Sequence, residues 1–148
     1  MSAAPQQHRQ ALIASWVAQM IGTVVLAAAV TAFVKGVMGP LSGGDTQWKR
    51  YSLSAIFIAA IPALYYLRTF KRRLDEVERL AVRNGGVPDA AARLLLAKSL
   101  AIGSAFCELP QAMGVVYLFV GGETRWFLGA TLVTLAMRLS YRPFLKAP

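Results

Sequence analysis

KSLAIGSAFCELPQAMGVVYLFVGG, residues 98–122, is an apolar segment interrupted by one acidic side chain, Glu108. At ~1.5 Å per helical residue, Glu108 lies about 15 Å from Lys98 and about 21 Å from Gly122. In a hydrocarbon layer ~30 Å thick, the carboxylate therefore lies near the middle. An ionisable residue at that depth is rare and costly, so the segment predicts both a membrane span and a candidate site.

The composition favours a membrane protein over a soluble one. The chain has 148 residues, of which 56% are hydrophobic, and its formal net charge is +9. The charges cluster between apolar runs, which favours a role in membrane topology and argues against nucleic-acid binding. The single cysteine, Cys107, excludes an intramolecular disulfide, and no Cys/His spacing resembles a metal site. We therefore expect no bound metal and no cofactor.

Four segments are predicted to cross the membrane, so we expect an all-α fold: a four-helix transmembrane bundle of two hairpins in one domain, residues 1–148. The predicted spans are residues 10–34, 51–67, 99–122 and 126–141. A cleaved signal peptide is the alternative for span one, but an apolar h-region normally covers only ~7–15 residues. Span four has 12 uncharged residues before Arg138, whose side chain could snorkel to the interface beside Arg142 and so lengthen the effective span.

The charged stretch between spans two and three, residues 68–98, is predicted to be helical and cytoplasmic. Apolar residues recur at helical spacing as far as Asn84, which forms a C-terminal stop together with Gly85. Asp89 can cap the next helix, which continues into span three. A basic amphipathic cytoplasmic helix is therefore expected between the two hairpins.

A basic run lies directly beside span two: Lys71, Arg72 and Arg73. Its position predicts contact with anionic lipid head groups and no role in nucleic-acid binding. Of the lysines and arginines, twelve fall on the side of this loop and of both termini, and four fall on the other side. By the positive-inside rule, we expect a multi-pass protein of the bacterial inner membrane with both termini in the cytoplasm.

Two prolines lie inside predicted spans, Pro62 in span two and Pro110 in span three. Each is expected to distort its helix. Pro110 has no N–H, which frees the carbonyl of Phe106 one turn earlier, beside Glu108. A protonatable acid next to a locally opened helix is an arrangement suited to binding a proton or a cation.

A narrow polar stripe on span three defines the candidate site. On a 3.6-residue period, Ser104, Glu108 and Gln111 share one face, which is expected to pack against protein. A charged carboxylate at the bilayer centre costs ~2.5–3.5 kcal/mol. Glu108 is therefore expected to be neutral, paired or beside water.

Partners for Glu108 are predicted from depth in the membrane. Gln19 on span one lies at a similar depth and is the first candidate. Thr131 and Thr134 on span four are alternative hydroxyl donors. Arg138 reaches Glu108 only if its side chain turns inward instead of snorkelling.

One motif on span three resembles a known family. The motif is Ala105-x-x-Glu108, followed six residues later by Gly114 and then by Val-Val-Tyr-Leu over residues 115–118. It resembles the carboxylate-bearing helix of the proteolipid (c) subunits of rotary ATP synthases. The resemblance implies that Glu108 carries a proton or a sodium ion.

The loop before span three, with Arg83-Asn84 and Pro88, is similar to the polar loop of that family, so the resemblance covers about Arg83 to Phe119. The chain departs from the family in several ways. Span two has none of the closely spaced glycines that allow ring packing, the loop is longer, and two extra spans are present. The resemblance therefore implies only the role of Glu108, and it does not imply that the chain forms a ring. The overall pattern also resembles small bacterial four-span membrane proteins, which implies no particular activity.

Two functions remain open from the sequence. In the first, a small membrane subunit or carrier binds a proton or cation at Glu108, helped by Gln111, Ser104 and Gln19. In the second, a structural or assembly subunit of a membrane complex uses the same polar face for helix packing. An enzyme is not expected, because no histidine, cysteine pair or second acid completes a catalytic set. The expected partners are membrane lipids and either a second copy or another membrane protein.

Overall fold

Four helices make up nearly all of the chain that the structure, a computed structural model, describes. It covers residues 4–38, 45–85 and 89–143, with side chains for 10–37, 45–85 and 89–143. The helices are α1 Ala4–Phe33, α2 Thr46–Arg83, α3 Ala90–Phe119 and α4 Thr124–Ser140, and a π-helical segment, Val34–Met38, follows α1. The described residues include no strand, which confirms the all-α fold.

The ends of α2 and α3 follow the local sequence. Asn84 caps the C-terminus of α2, and Gly85 follows with a φ of 72°, a left-handed conformation that favours glycine. Asp89 caps α3, because its carboxylate accepts a hydrogen bond of 2.6 Å from the backbone N–H of Ala90. The predicted stop and the predicted cap are therefore confirmed. Pro88 lies outside the described residues.

The charged stretch predicted between spans two and three divides between two long helices. Its first half is the C-terminal part of α2, a helix of 38 residues, and its second half is the start of α3. Phe70 and Val77 are buried on α2 and belong to one apolar cluster with Ala92 and Leu96 of α3. The apolar face of the predicted amphipathic helix is therefore covered by α3, and α2 and α3 form one long hairpin.

Neither proline ends its helix. Pro62 lies inside α2 and Pro110 inside α3, and both helices continue on either side. Pro110 is fully buried. A proline at a buried position in a helix lacks one backbone hydrogen bond, and packing of the surrounding side chains maintains the helix there.

The predicted pairing of spans one and two is wrong. α3 packs against α2 on one side and against α4 on the other, whereas α1 packs mainly against α4 and not closely against α2. One contact that fixes α1 is the indole of Trp16, whose Nε1–H donates a 2.9 Å hydrogen bond to the carbonyl of Arg138. Since the polar side chains of α1 find their partners on α3 and α4, α1 lies beside those helices.

Glycines allow α3 and α4 to approach closely. A Cβ added at Gly114 would lie 3.0 Å from the Cβ of Ala130 and 3.1 Å from the ring of Phe127. A Cβ at Gly103 would overlap the ring of Tyr141. That ring is held in place, since its hydroxyl donates to the carbonyl of Ala63 on α2.

Three helices in the described part of the chain are long and apolar enough to cross a membrane. They lie within Gln10–Val37, Thr46–Arg83 and Ala90–Phe119. α4 has 17 residues and is shorter than these three. A fourth crossing remains a prediction.

We expect Gly103→Ala to destabilise the fold. The new methyl group would displace the ring of Tyr141, which is held by its hydrogen bond to Ala63, and overpacking of this kind costs about 1–3 kcal/mol. The measurement is the free energy of unfolding in detergent. Gly129→Ala is the matched control, because a Cβ there meets nothing within 4 Å. Equal stability of the two variants would contradict the close approach of α3 and α4.

Candidate functional site

The centre of the site is an ion pair between α3 and α4. Nη2 of Arg138 donates to Oε1 of Glu108 over 2.7 Å. The two side chains differ sharply in exposure, 4% for Arg138 and 61% for Glu108. The guanidinium therefore lies inside the bundle, and the carboxylate lies at its surface.

The other terminal nitrogen of Arg138 links the pair to α1. Nη1 donates to Oε1 of Gln19 and to Oγ of Ser104, each over 2.9 Å. Ser104 in turn donates to the same Gln19 oxygen over 2.7 Å. Among the described residues, Nε of Arg138 is buried and has no acceptor. One guanidinium thus joins α1, α3 and α4.

A second polar contact lies one helical turn from Glu108. Nε2 of Gln111 donates to the carbonyl of Thr23 over 3.0 Å and to Oγ1 of Thr131 over 3.4 Å. Thr131 donates to the carbonyl of Phe127. Gln111 therefore bonds α3 to the backbone of α1 and to a side chain of α4, and the same three helices meet here again.

The structure brings the predicted site residues together, but with a different central partner. Ser104 and Gln19 surround the guanidinium of Arg138, and Gln111 lies in the adjacent contact. Gln19, the first candidate partner, contacts Ser104 and Arg138, and Glu108 pairs with Arg138. Of the two directions open to the side chain of Arg138, the structure shows the inward one, because acceptors on α1 and α3 bind its two terminal nitrogens in the interior.

Glu108 is paired, which is one of its three expected states, but the other helices of the chain do not shield it as expected. Its side chain is 61% exposed, because α1 packs on α4 and leaves the edge of α3 open. Neither threonine predicted as a donor contacts it. Thr131 donates to a backbone carbonyl, and the buried hydroxyl of Thr134 has no partner within the described ranges.

The sequence analysis left the direction of Arg138 open, although a signal for the interior was present. Thr131, Thr134 and Arg138 recur at spacings of three and four residues, so they share one face of α4. In an antiparallel pair this polar face meets the stripe that carries Ser104 and Glu108. Two facing polar stripes favour an interior arginine without requiring it.

The basic run beside span two divides into two kinds of residue. Lys71 and Arg72 are exposed and remain available for lipid head groups. Arg73 instead turns toward α3, where its Nη1 donates to Oγ of Ser99 over 2.7 Å and to the hydroxyl of Tyr66 over 3.3 Å. The predicted head-group contact of Arg73 is therefore replaced by an internal one, because a buried acceptor on α3 lies within its reach.

A groove of about 310 Å³ opens beside the ion pair between α1 and α3. It is lined by Gln19, Gly22, Thr23, Leu26, Glu108, Gln111, Ala112 and Arg138. One negative and one positive side chain reach it, so its net charge is zero. Within the described ranges, no group of three or more His, Cys, Asp or Glu side chains is placed to hold a metal ion.

Comparisons with protein families, with curated proteins and with solved structures find no match to this chain. The resemblance of span three to the proteolipid helix of rotary ATP synthases therefore stays a prediction. The interpretation of the site depends on its own geometry. That geometry consists of a buried arginine, an exposed carboxylate and the polar groups that fix them.

We expect Arg73→Ala to destabilise the α2–α3 hairpin, because the hydrogen bond to Ser99 is lost. The expected cost is about 1.5 kcal/mol, the lower end for hydrogen bonds of charged groups, since Arg73 is only half-buried. Thermal unfolding in detergent measures it. Arg72→Ala removes the same charge from an exposed position and serves as the control. An equal effect of both variants would show that charge alone, and not the internal contact, matters.

Proposed function

We propose that this chain is an integral protein of the bacterial inner membrane that crosses it four times, with both termini in the cytoplasm. Three helices with suitable length and apolarity support this proposal. The 17 residues of α4 extend over about 25 Å and pack alongside α3, which supports the fourth crossing. The excess of lysine and arginine around the central loop and the termini supports the orientation.

In this setting the carboxylate of Glu108 lies deep in the hydrocarbon layer, about 16 Å from the end of α3 at Phe119. Arg138 lies in the last turn of α4, and its long side chain extends inward to reach that depth. Charges at such depth are found paired and directed toward protein or water. Arg138 satisfies that rule through its three acceptors, whereas Glu108 has one strong partner and an open side.

We further propose that the chain is a structural or assembly subunit of a membrane complex, and that the site serves helix packing. The observation that supports this best is the bonding of Arg138 to side chains of α1 and α3 at once. Such a centre fixes the relative positions of three helices. The exposed side of Glu108 then requires a protein neighbour, because an ionised carboxylate facing lipid costs ~2.5–3.5 kcal/mol.

The same geometry disfavours the carrier hypothesis. Loading a proton onto Glu108 removes the negative charge beside Arg138 and leaves a buried cation without a counter-charge. Breaking one partner of a buried pair typically costs ~3–5 kcal/mol. A cation bound at Glu108 would likewise meet the positive charge of Arg138 at short distance.

Binding of a proton or cation at Glu108 is nevertheless the second candidate function. The observation that favours it is the opening of the carboxylate onto a groove with polar walls, including Gln19 and Gln111. In this alternative, the ligand replaces Arg138 as the partner of Glu108. Transport is then the property that separates the two candidates.

We expect Arg138→Gln to lower the free energy of unfolding by less than the ~3–5 kcal/mol typical of a fully buried ion pair, because the carboxylate that it leaves unpaired is 61% exposed. The double variant Glu108→Gln, Arg138→Gln should recover much of this loss, since it leaves no unpaired charge. Unfolding in detergent of both single variants and the double variant measures the coupling. Additive losses would mean that the pair does not act as a unit.

The double variant also separates assembly from transport. Under the assembly proposal it keeps a hydrogen-bonding face, so the complex extracted in mild detergent should retain its native size, whereas Glu108→Leu should reduce that size. Proton and sodium fluxes into proteoliposomes should be at background for the wild type and the double variant alike. Flux in the wild type that the double variant abolishes, with native size retained in Glu108→Leu, would favour the carrier instead.

A further inference from the structure

The hydrogen bonds at the groove fix the orientation of two glutamine side chains. Oε1 of Gln19 accepts from Arg138 and from Ser104, so this atom must be the amide oxygen. Nε2 of Gln111 donates to the carbonyl of Thr23, so this atom must be the amide nitrogen. Both side chains line the groove. The network therefore determines which end of each amide is left for another partner.

Three polar atoms of the groove walls have no partner within the described ranges: Nε2 of Gln19, Oε1 of Gln111 and Oε2 of Glu108. The two amide atoms are not buried, and the Glu108 side chain is 61% exposed, so another group can reach all three. Because Gln111 as a whole is only 3% exposed, its open oxygen is reached from the groove that it lines. The groove thus offers one donor and two acceptors.

The charges of the groove restrict the group that can bind there. Glu108 and Arg138 cancel, so the groove has no net charge. A lysine or arginine brought to the carboxylate would meet the guanidinium of Arg138, which lies 2.7 Å from its other oxygen. An aspartate or glutamate would meet the carboxylate itself. An apolar side chain would leave all three open atoms unpaired. A neutral polar group is therefore required.

A carboxamide has the number of donors and acceptors that the groove requires. Its nitrogen carries two N–H donors, which can serve the open oxygens of Glu108 and Gln111, and its oxygen can accept from Nε2 of Gln19. A serine, threonine or tyrosine hydroxyl has one donor and would leave one of the two oxygens unpaired. The side chains of asparagine and glutamine therefore fit best.

A second copy of this chain does not supply such a side chain. At the depth of the groove the amide side chains are Gln19 and Gln111, and both are already bonded within their own chain. Gln10, also on α1, lies about 14 Å from Gln19 along the helix axis. Two copies inserted in the same direction bring residues of equal depth together, so Gln10 of one copy does not reach the groove of the other.

We propose that the groove is the docking site for a transmembrane helix of a different membrane protein, which inserts one asparagine or glutamine side chain between α1 and α3. This inference rests on the assembly function proposed above and names the chemistry of the partner. Amide side chains form hydrogen bonds between membrane helices, where no hydrophobic driving force brings the helices together. The partner's amide pairs the carboxylate of Glu108 on its open side without disturbing its bond to Arg138.

The remaining walls of the groove allow a helix to approach. Besides its polar residues, the groove is lined by Gly22, Leu26 and Ala112. A Cβ added at Gly22 would meet nothing within 4 Å. Small residues beside a polar contact let the backbones of two membrane helices come close, which shortens the distance that the inserted amide must reach.

Photo-cross-linking in native membranes tests the chemistry of the partner. Ala112 is replaced by p-benzoylphenylalanine in the full chain, and the peptide joined to it after irradiation is sequenced by mass spectrometry. We expect a membrane-spanning segment of another protein, with an asparagine or glutamine within one helical turn of the attachment point and no charged residue in that turn. An adduct to a segment without a carboxamide, to a second copy, or to lipid alone would overturn the proposal.

The same replacement at Ile61 is the control for position. Ile61 is exposed on α2, and it lies at a similar depth to Ala112, because Tyr66 of the antiparallel α2 contacts Phe106 of α3. It does not line the groove. We expect about fivefold less of the same adduct there, since α3 separates this face of α2 from α1. Equal yields at the two positions would contradict docking in the groove.

A pair of glycine variants tests the groove without a photoreactive group. Gly22→Leu adds a side chain at the groove wall where a Cβ meets nothing, so the melting temperature should be unchanged while the complex in mild detergent falls to the size of the isolated chain. Gly129→Leu is the matched control, because a Cβ there also meets nothing within 4 Å but Gly129 does not line the groove. Its complex should keep the native size.

The size measurement also separates this inference from the assembly function. A complex of native size in Gly22→Leu would overturn docking in the groove, whereas a loss of size in Glu108→Leu would still support an assembly subunit. Native size in both variants would remove both proposals.

Discussion

Burial of the Arg138 guanidinium is the constraint on which the helix arrangement depends. Arginine stays charged and carries five N–H donors in a fixed plane, so it is buried only where several acceptors converge. Here Glu108 and Ser104 come from α3 and Gln19 comes from α1. Because no single helix supplies all three, satisfying one side chain determines where α1, α3 and α4 lie relative to each other.

The rest of the molecule is held by different forces. α2 joins α3 through an apolar cluster that includes Phe70 and Leu96, and the contact of Arg73 with Ser99 adds one polar link. Close packing of α4 on α3 depends on Gly103 and on Gly114. The chain therefore combines a hairpin stabilised mainly by side-chain packing with a three-helix contact stabilised by polar groups.

Much of the fold follows from hydropathy and capping, since long apolar runs, the stop at Asn84 and the cap at Asp89 are local signals. The polar stripe of α3 follows from its 3.6-residue period. Two features of the structure do not follow from the sequence pattern. Periodicity does not say whether a long side chain such as Arg138 turns inward or toward an interface, because both directions satisfy its charge. Periodicity also does not say which helix α1 packs against, and its packing on α4 leaves Glu108 exposed.

The separation of Glu108 and Arg138 in the chain has a consequence for biosynthesis. The acid is made 30 residues before the base. In the proposed membrane setting, a ribosome that has completed α3 has delivered an acid with no counter-ion, and the base arrives only with α4. Pairing of the acid thus waits for the synthesis of α4, which favours insertion of α3 and α4 as one unit. A chain truncated between these two helices keeps an acid without its base.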